Sequence, residues 1–492
     1  MATFDDLKNL VHKQWPEADL LNLKRAYDFA AQAHSGQKRL DGTDYIEHSL
    51  ATAFTLAGLR LDVQTVMAGL LHDVPEDTAV TIEAIEKEFG AEIAKLVKGI
   101  TKLGKIKYRG LERYAENLRK MFVAMAEDIR VIIIKLADRL HNLETLSVLP
   151  PVKQQRIARE TLEIYAPIAN RLGIGELRGK LEDLAFKFVY PEEYDWTVKI
   201  SADRLKDQLS HVNKLIGQVK NVLKENQIEP ISIHGRVKHY YSLYRKLLRK
   251  DMDINKVYDL VAIRIVLPTV ADCYNTLGLV HSLWKPMPGR IKDYIAQPKP
   301  NGYRSLHTTV FGDDGRIAEF QIRDKEMHDH AEYGIAAHWH YKAGSKKKGL
   351  AIPAEQLKWI KELLDWQKDI KDHEQYLQAL KIDIFQNRIF VFTPKGDVID
   401  LPEQATPVDF AYHIHTDLGN KMSGAKVNDK MVPLDHKLLS GDLVEILTDK
   451  NRPGPSEDWL KFIKTNVAKN HIKAHIKRKR YGLLNLFSRK KE

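Results

Sequence analysis

Four ionisable side chains fall within six positions in the stretch "LLHDVPEDT": His72 and Asp73, then, past Pro75, Glu76 and Asp77. An imidazole and a carboxylate next to each other on a helix lie about 100° apart and can still converge on one ion. Two donors do not fill a metal shell. The same region offers His48 in "DYIEHSL" and Asp138 in "IKLADRLHN" as a third and a fourth. Mixed imidazole and carboxylate ligands suit Mn²⁺, Fe²⁺ or Zn²⁺ better than Ca²⁺. Glu76 and Asp77 would then orient or deprotonate a water at that ion. Around Asp138, the residues Lys135, Asn142 and Thr145 recur at three- and four-residue steps and share one helix face. The competing reading is ordinary: polar groups satisfied at a helix end, with Arg139, His141 and Glu144 widening the second helix into a solvated face.

A second concentration of chemistry begins at "HGRVKHYYSLYRKLLRK". As a helix it places Lys238, Ser242, Arg245 and Arg249 on one face, a basic stripe suited to a polyphosphate, with Tyr240, Leu243, Tyr244 and Leu247 toward a core. A solvated surface carries the same kind of stripe. Asp259 interrupts the apolar "VYDLVAIRIVL", where an unpaired carboxylate is costly. In "RIAEFQIR", alternation puts Glu319, Gln321 and Arg323 opposite Ala318, Phe320 and Ile322. Ser305, His307 and Thr309 join the polar face across a hairpin. Two carboxylates on neighbouring strands can hold Mg²⁺ while it binds phosphates; the alternative is an ion pair between Asp259 and an arginine. Asn301-Gly302 signals a tight turn projecting an exposed Tyr303, which could stack on a purine or serve the turn alone.

Helices must carry the first set and strands the second. Residues 20–190 read as helical: "TIEAIEKEFG" is opened by Thr81 and closed by Gly90, and "ADLLNLKRAYDFAAQAHSG" is closed by Gly36. Near residue 255 the period changes to that of strands, and "SLHTTVF-GDDG-RIAEFQIR" reads as a hairpin. "AGSKKKG" at 343–349 reads as a linker or exposed loop before a further helical stretch. With 492 residues the chain exceeds one core, and roughly three domains are expected. Its single cysteine, Cys273, excludes an intramolecular disulfide and fits a reducing, cytoplasmic setting. No secretory signal pattern opens the sequence. The apolar run "VIII" at 131–134 is far too short to span a membrane. Of the net charge of +11, about ten lie between Lys461 and Glu492, where eleven basic residues meet one acid. Such a tail suits a polyanion such as RNA, or simply a solvated terminal helix.

The order His…His-Asp…Asp resembles the HD superfamily of metal-dependent phosphohydrolases. The wider text, "SLATAFTLAGLRLDVQTVMAGLLHDVPEDT", "AENLRKMFVAMAEDIRVIIIKLADRLHNLETL" and "YAPIANRLGIGELRGKLEDLAF", resembles the N-terminal hydrolase of RelA/SpoT homologues. That resemblance implies removal of the 3′-pyrophosphate of (p)ppGpp with Mn²⁺ held by His48, His72, Asp73 and Asp138. Glu76 and Asp77 would serve the attacking water, and Arg39, Asn142 and Thr145 the nucleotide. The sequence departs from many members at Leu40, Asp41 and Ser49. "GRVKHYYSLYRK", "HSLWKPMPGRIKDYIAQPKPNGYRSLHTTVFG" and "EFQIRDKEMHDHAEYGIAAHWHYK" resemble the family's synthetase, which moves pyrophosphate from ATP to the 3′-OH of GDP or GTP. By the same resemblance Asp259 and Glu319 hold Mg²⁺, with Glu319 also a candidate base. Arg236, Lys238, Ser242, Lys246 and Arg264 would hold ATP; Lys292, Lys299, Asn301, Tyr303 and His307 would hold the guanine nucleotide. "RIKD" at 290–293 matches the basic loop of bifunctional members. Residues 389–448 resemble the TGS domain, which in long members meets deacylated tRNA on the ribosome; His413 and His415 lie where that contact is expected. The zinc-finger and ACT modules of long members are not in this sequence.

The expectation is therefore multidomain: an all-α HD-type hydrolase (1–195), an α/β nucleotidyltransferase-like synthetase (196–345), a helical linker (346–382), a β-grasp TGS domain (383–450) and a basic helical tail (451–492). The activity expected is bifunctional synthesis and hydrolysis of ppGpp and pppGpp, as in the stringent response. The rivals are a chain with one live site and a ribosome- or tRNA-binding regulator with vestigial catalysis.

Overall fold

The computed structural model describes residues 3–104, 111–299, 301–337, 359–360, 364, 372–373 and 388–488, without the side chains of 102–104, 111–114, 117, 203, 388 and 478–488. The loop and most of the linker expected between 343 and 382 lie outside the described residues. Two compact units emerge, residues 1–369 and 370–492. No helix among the described residues is long and apolar enough to cross a membrane.

The first half of the larger unit is helical, as the period implied. Thr81 caps the Ile82–Phe89 helix by accepting from the Ala84 N–H, and Gly90 ends it at φ +88°. The helix opened by Asp19 spans Leu20–Ala33, ending before Gly36. The run 131–134 is buried on every side because its helix, Arg130–Glu144, runs through the middle of the block. Two helices, Tyr45–Gly58 and Val63–Leu71, lie in close contact through a glycine. A Cβ at Gly69 would stand 2.4 Å from Leu56 Cδ1 and 3.5 Å from Ala53 Cα. The second helix ends at Leu71, and a single turn, Val74–Asp77, follows with Pro75 inside it. The break expected at Pro75 thus falls earlier, at His72–Asp73. Proline fits the first turn of the new segment, where its missing N–H costs nothing.

The second half is built on a mixed sheet of order β1-β2-β5-β4-β3. Its strands are β1 (Ser232–Val237), β2 (Val261–Leu267), β3 (Lys292–Asp293), β4 (Leu306–Phe311) and β5 (Ile317–Asp324). Only the β2–β5 pairing is parallel. Ala318, Phe320 and Ile322 enter the core against Val212, Leu215 and Val219 of the Pro191–Glu225 helix and Cys273 and Val280 of Val270–Leu283. Glu319, Gln321 and Arg323 alternate onto the other face, as expected. Strand β1 corrects the helical reading of "HGRVKHYYS": the helix begins only at Tyr240 and ends at Leu248, so Lys238 stands at the strand–helix junction and Arg249 at the cap. Leu243 and Leu247 do fill a core, while the tyrosines stay half-buried.

The smaller unit contains β6 (Arg388–Phe392), β7 (Val398–Pro402), β8 (Met422–Val427), β9 (Lys430–Val432) and β10 (Val444–Thr448), with the helix Pro407–Ile414. The final helix, Asn466–Ser488, is less separate than a tail. Trp459, Ile463, Ala468 and Ile472 share a core with Val408, Ala411 and Met422. The fully buried Asp409 accepts from the Lys464 and Thr465 N–H groups at 2.8–3.1 Å and fixes this junction.

The contact at Gly69 yields a stability prediction. Gly69→Ala forces the buried Leu56 side chain to repack and costs roughly 1 kcal/mol, the low end of the penalty for overpacking, read as a lower denaturant midpoint with an unchanged m-value.

Candidate functional site

In the helical block, the Tyr45–Gly58 helix presents His48, the end of Val63–Leu71 presents His72 and Asp73, and Arg130–Glu144 presents Asp138. His48, His72 and Asp138 offer ligand atoms all within 4.8 Å of one another. Asp73 joins them: its carboxylate oxygens lie 3.4 Å from His48 Nε2 and 3.2 Å from His72 Nε2. His48 Nε2 is 3.2 Å from Asp138 Oδ1. The four residues expected together from the sequence are together.

The donor set fits a divalent cation. His72 donates its Nδ1–H to the Gly69 carbonyl at 2.8 Å, which turns the buried Nε2 toward the carboxylates. Burial opposes charge on His72, but Asp73 and Asp138 outweigh it and lift its pKa to about 9, so the cluster draws in positive charge. Burial likewise opposes ionisation of Asp138, yet Lys135, at 2.6 Å, and the two histidines hold its carboxyl well below the usual range. Asn142 Nδ2 donates to the other Asp138 oxygen at 2.5 Å. The shared face of Lys135, Asp138 and Asn142 is thus a working network. Arg39 Nη2 reaches Asn142 Oδ1 at 2.9 Å and Thr145 Oγ1 at 3.5 Å, while Leu40 is exposed. Burial, helped by Asp73 and Asp77, pushes the Glu76 carboxyl up to about 7 despite Lys135.

Two participants escaped the sequence reading. Tyr45 donates its hydroxyl toward Asp73 Oδ2 at 3.0 Å and Asp77 Oδ2 at 2.5 Å, tying a ligand to the residue beyond the helix break. Its position three residues before His48, on the same helix face, was the available signal. His141, by spacing only part of a solvated face, pairs its Nδ1 with His48 Nδ1 at 2.8 Å and orients that ring.

In the sheet half, Asp259 precedes β2 and is clasped by the Lys238 ammonium on one oxygen and by Lys246 at 2.7 Å on the other. Its ion-pair partners are therefore lysines, not an arginine. They outweigh burial and hold its carboxyl down at about 2. Glu319 lies on β5 opposite Thr309 and 3.6 Å from His307 Nδ1. Lys292 is exposed on β3. Gly302, at φ +76°, closes the expected turn, and Asn301 Nδ2 donates to the Asn170 carbonyl at 3.3 Å. Tyr303 is not projected freely: its hydroxyl pairs with His307 Nε2 at 2.8 Å, and the Lys299 ammonium sits 4.9 Å from its ring and 4.5 Å from that of Tyr294. Burial, then Lys299 and Lys292, push the His307 pKa down to about 3, so that ring is neutral. Arg264 and the fully buried Arg323 share the Glu332 carboxylate at 2.8 and 2.9 Å, with half-buried Arg236 on the neighbouring strand. Glu332 had no sequence signal, being 68 residues from Arg264.

Three family models match the chain: an HD domain over residues 26–175, the region found in RelA / SpoT proteins over 235–346, and a TGS domain over 389–448. A guanosine-3′,5′-bis(diphosphate) 3′-pyrophosphohydrolase of Aquifex aeolicus is 46% identical over 475 residues, covering 96% of this chain and 67% of that protein. The chain belongs to the RelA/SpoT family. A GTP pyrophosphokinase of Myxococcus xanthus is 46% identical over 484 residues, 97% of this chain and 63% of that protein. A bifunctional (p)ppGpp synthase/hydrolase RelA of Mycobacterium tuberculosis is 46% identical over 470 residues, 94% of this chain and again 63% of the relative. The chain thus spans about 56–67% of the length of the curated relatives it matches. The family's three regions follow the order of helical block, mixed sheet and small β-containing unit seen in the fold.

Metal binding at the histidine–carboxylate cluster is directly measurable. Mn²⁺ at a hundredfold excess over its dissociation constant should stabilise the chain by about 2.7 kcal/mol. His72→Ala should abolish that gain in a thermal melt while leaving the metal-free transition cooperative.

Proposed function

We propose that this chain is a cytoplasmic, bifunctional alarmone enzyme. One half transfers pyrophosphate from ATP to the 3′-OH of GDP or GTP, making ppGpp or pppGpp and AMP. The other hydrolyses these products to GDP or GTP and pyrophosphate. The observation that carries the reading is the convergence of His48, His72, Asp73 and Asp138 from three separate segments, in a chain that also brings two lysines onto Asp259 beside the strand holding Glu319.

Mn²⁺ at the first set and Mg²⁺ at Asp259 and Glu319 would supply Lewis acidity and screen phosphate charge. The chain's own residues do the rest. Glu76, poised near 7, accepts a proton from the attacking water, and Asp77, held by Tyr45, orients that water. Arg39, Asn142 and Thr145 grip the nucleotide. In the synthetase half, Lys238 and Lys246 exchange Asp259 for ATP phosphates, joined by Arg236, Ser242 and Arg264. Lys292, Lys299, Asn301, Tyr303 and His307 hold the guanine nucleotide, and Glu319 takes the proton of the 3′-OH. The TGS region, with His413 and His415, and the basic helix after it would serve deacylated tRNA on the ribosome.

Nucleotide chromatography separates the two activities. With ATP, GDP and Mg²⁺ the chain should form ppGpp; with ppGpp and Mn²⁺ it should release pyrophosphate. Asp73→Ala should lower breakdown by about 10³-fold and spare synthesis, and Glu319→Gln should do the reverse. Loss of both activities in either variant contradicts two independent sites.

Burial and the charges of Lys292 and Arg178, only partly offset by Glu319, lower the Lys299 pKa to about 8, between the Tyr294 and Tyr303 rings. The ammonium is therefore present below that pH and lost above it. GDP affinity should fall roughly tenfold per pH unit above it in the wild type, and the step should vanish in Lys299→Arg when both are followed by calorimetry.

A further inference from the structure

The Gly175–Val189 helix begins at the last residue matched by the HD model and ends well before the RelA/SpoT region starts at residue 235, so neither match assigns it a role. We propose that Asp183 on this helix is a positioning residue for synthesis: its carboxylate caps and orients the Tyr240–Leu248 helix, which carries Ser242 and Lys246. The inference rests on the reading above, in which those two side chains hold ATP.

The segment entering that helix, "RVKHYY", contains no Ser, Thr, Asp or Asn where a cap is needed, and His239 at the cap position makes no side-chain capping bond of its own. The unpaired N–H groups of a first turn must be satisfied from somewhere. Asp183 does this from 58 residues away. Its Oδ1 accepts from the Tyr241 N–H at 2.9 Å, and its Oδ2 pairs with His239 Nδ1 at 2.8 Å. One carboxylate thus fixes both the cap residue and the second residue of the helix.

The surrounding face is shaped for this contact. A Cβ at Gly179, one turn before Asp183, would stand 2.1 Å from His239 Nε2, so only glycine admits the ring. Glu182 Oε2 lies 3.4 Å from Ser242 Oγ, and Arg178 Nη2 is 3.5 Å from the same hydroxyl. One turn further on, the Phe186 ring stacks on Tyr244 with centroids 5.0 Å apart. Positions 178, 179, 182, 183 and 186 therefore form one continuous helix face against the start of the Tyr240–Leu248 helix. Lys246, on that helix, meets Asp259 at 2.7 Å. Releasing the N-terminus would swing Ser242 and Lys246 off their targets without touching the histidine–carboxylate cluster.

The test uses the full chain, with initial rates of ppGpp synthesis and hydrolysis and amide exchange at Tyr241. Asp183→Ala should raise KM for ATP by about tenfold, expose the Tyr241 amide to exchange, and leave KM for GDP and the rate of ppGpp breakdown unchanged. Asp183→Asn keeps an oxygen for the Tyr241 N–H and should restore most of the ATP affinity. The double variant Asp183→Ala/His239→Ser supplies a local cap and should also recover it, which keeps the test decisive if Asp183→Ala alone does not fold. An unchanged KM for ATP in Asp183→Ala, an equal rise in KM for both nucleotides, or no recovery in the double variant would overturn the proposal. Lys246→Ala is the reference. If it leaves KM for ATP unchanged, the assignment of this helix to ATP fails and the inference falls with it. If Lys246→Ala weakens ATP and Asp183→Ala does not, the inference alone fails.

Discussion

A carboxylate withdrawn from water must be given a cation or several N–H donors, and the architecture of this chain follows from how it meets that demand. Asp138 is surrounded by Lys135, Asn142 and His48; Asp259 is clasped by two lysines; Glu332 is shared by two arginines; Asp409 collects backbone amides. Each solution joins elements distant in sequence, so the same charges that invite chemistry also hold the fold together. The two candidate centres differ in how far the demand is met internally. Around His72 imidazole nitrogens and carboxylate oxygens face one another at 3.2–3.4 Å, whereas Asp259 has a lysine on each oxygen.

That difference bears on how each centre would take up its ion. The histidine–carboxylate cluster already has its donors within a few ångströms of one another. The Asp259 centre must first release lysines, and phosphate oxygens are natural acceptors for them. The close packing at Gly69 serves the first centre directly, since it holds the helices of His48 and His72 in a fixed relation.

Much of this was legible in the residues. The three- and four-residue steps around Asp138 named a face that the structure keeps, and the alternation in "RIAEFQIR" separated core from polar side chains correctly. The hairpin around "GDDG" and the caps at Thr81 and Gly90 followed from local rules that act within a few residues. What was hidden depends on partners far along the chain. β1 is short and runs directly into a helix start, so its Arg236 and the basic and aromatic residues that follow resembled one longer helix. Tyr45, His141, Asp183 and Glu332 are polar residues of common type, and their importance comes only from what the fold sets against them. Tyr303 looked exposed because a turn glycine precedes it; the neighbouring Lys299 and His307 cover it.

The final helix carries most of the excess positive charge, yet its first turns are anchored through Asp409, Ala468 and Ile472 in the same core as the small sheet. It is an arm and not a tether. Its lysines near the anchor keep a constant bearing on that sheet, so an acidic polymer laid along them would meet the sheet in one orientation, with little chain entropy left to lose.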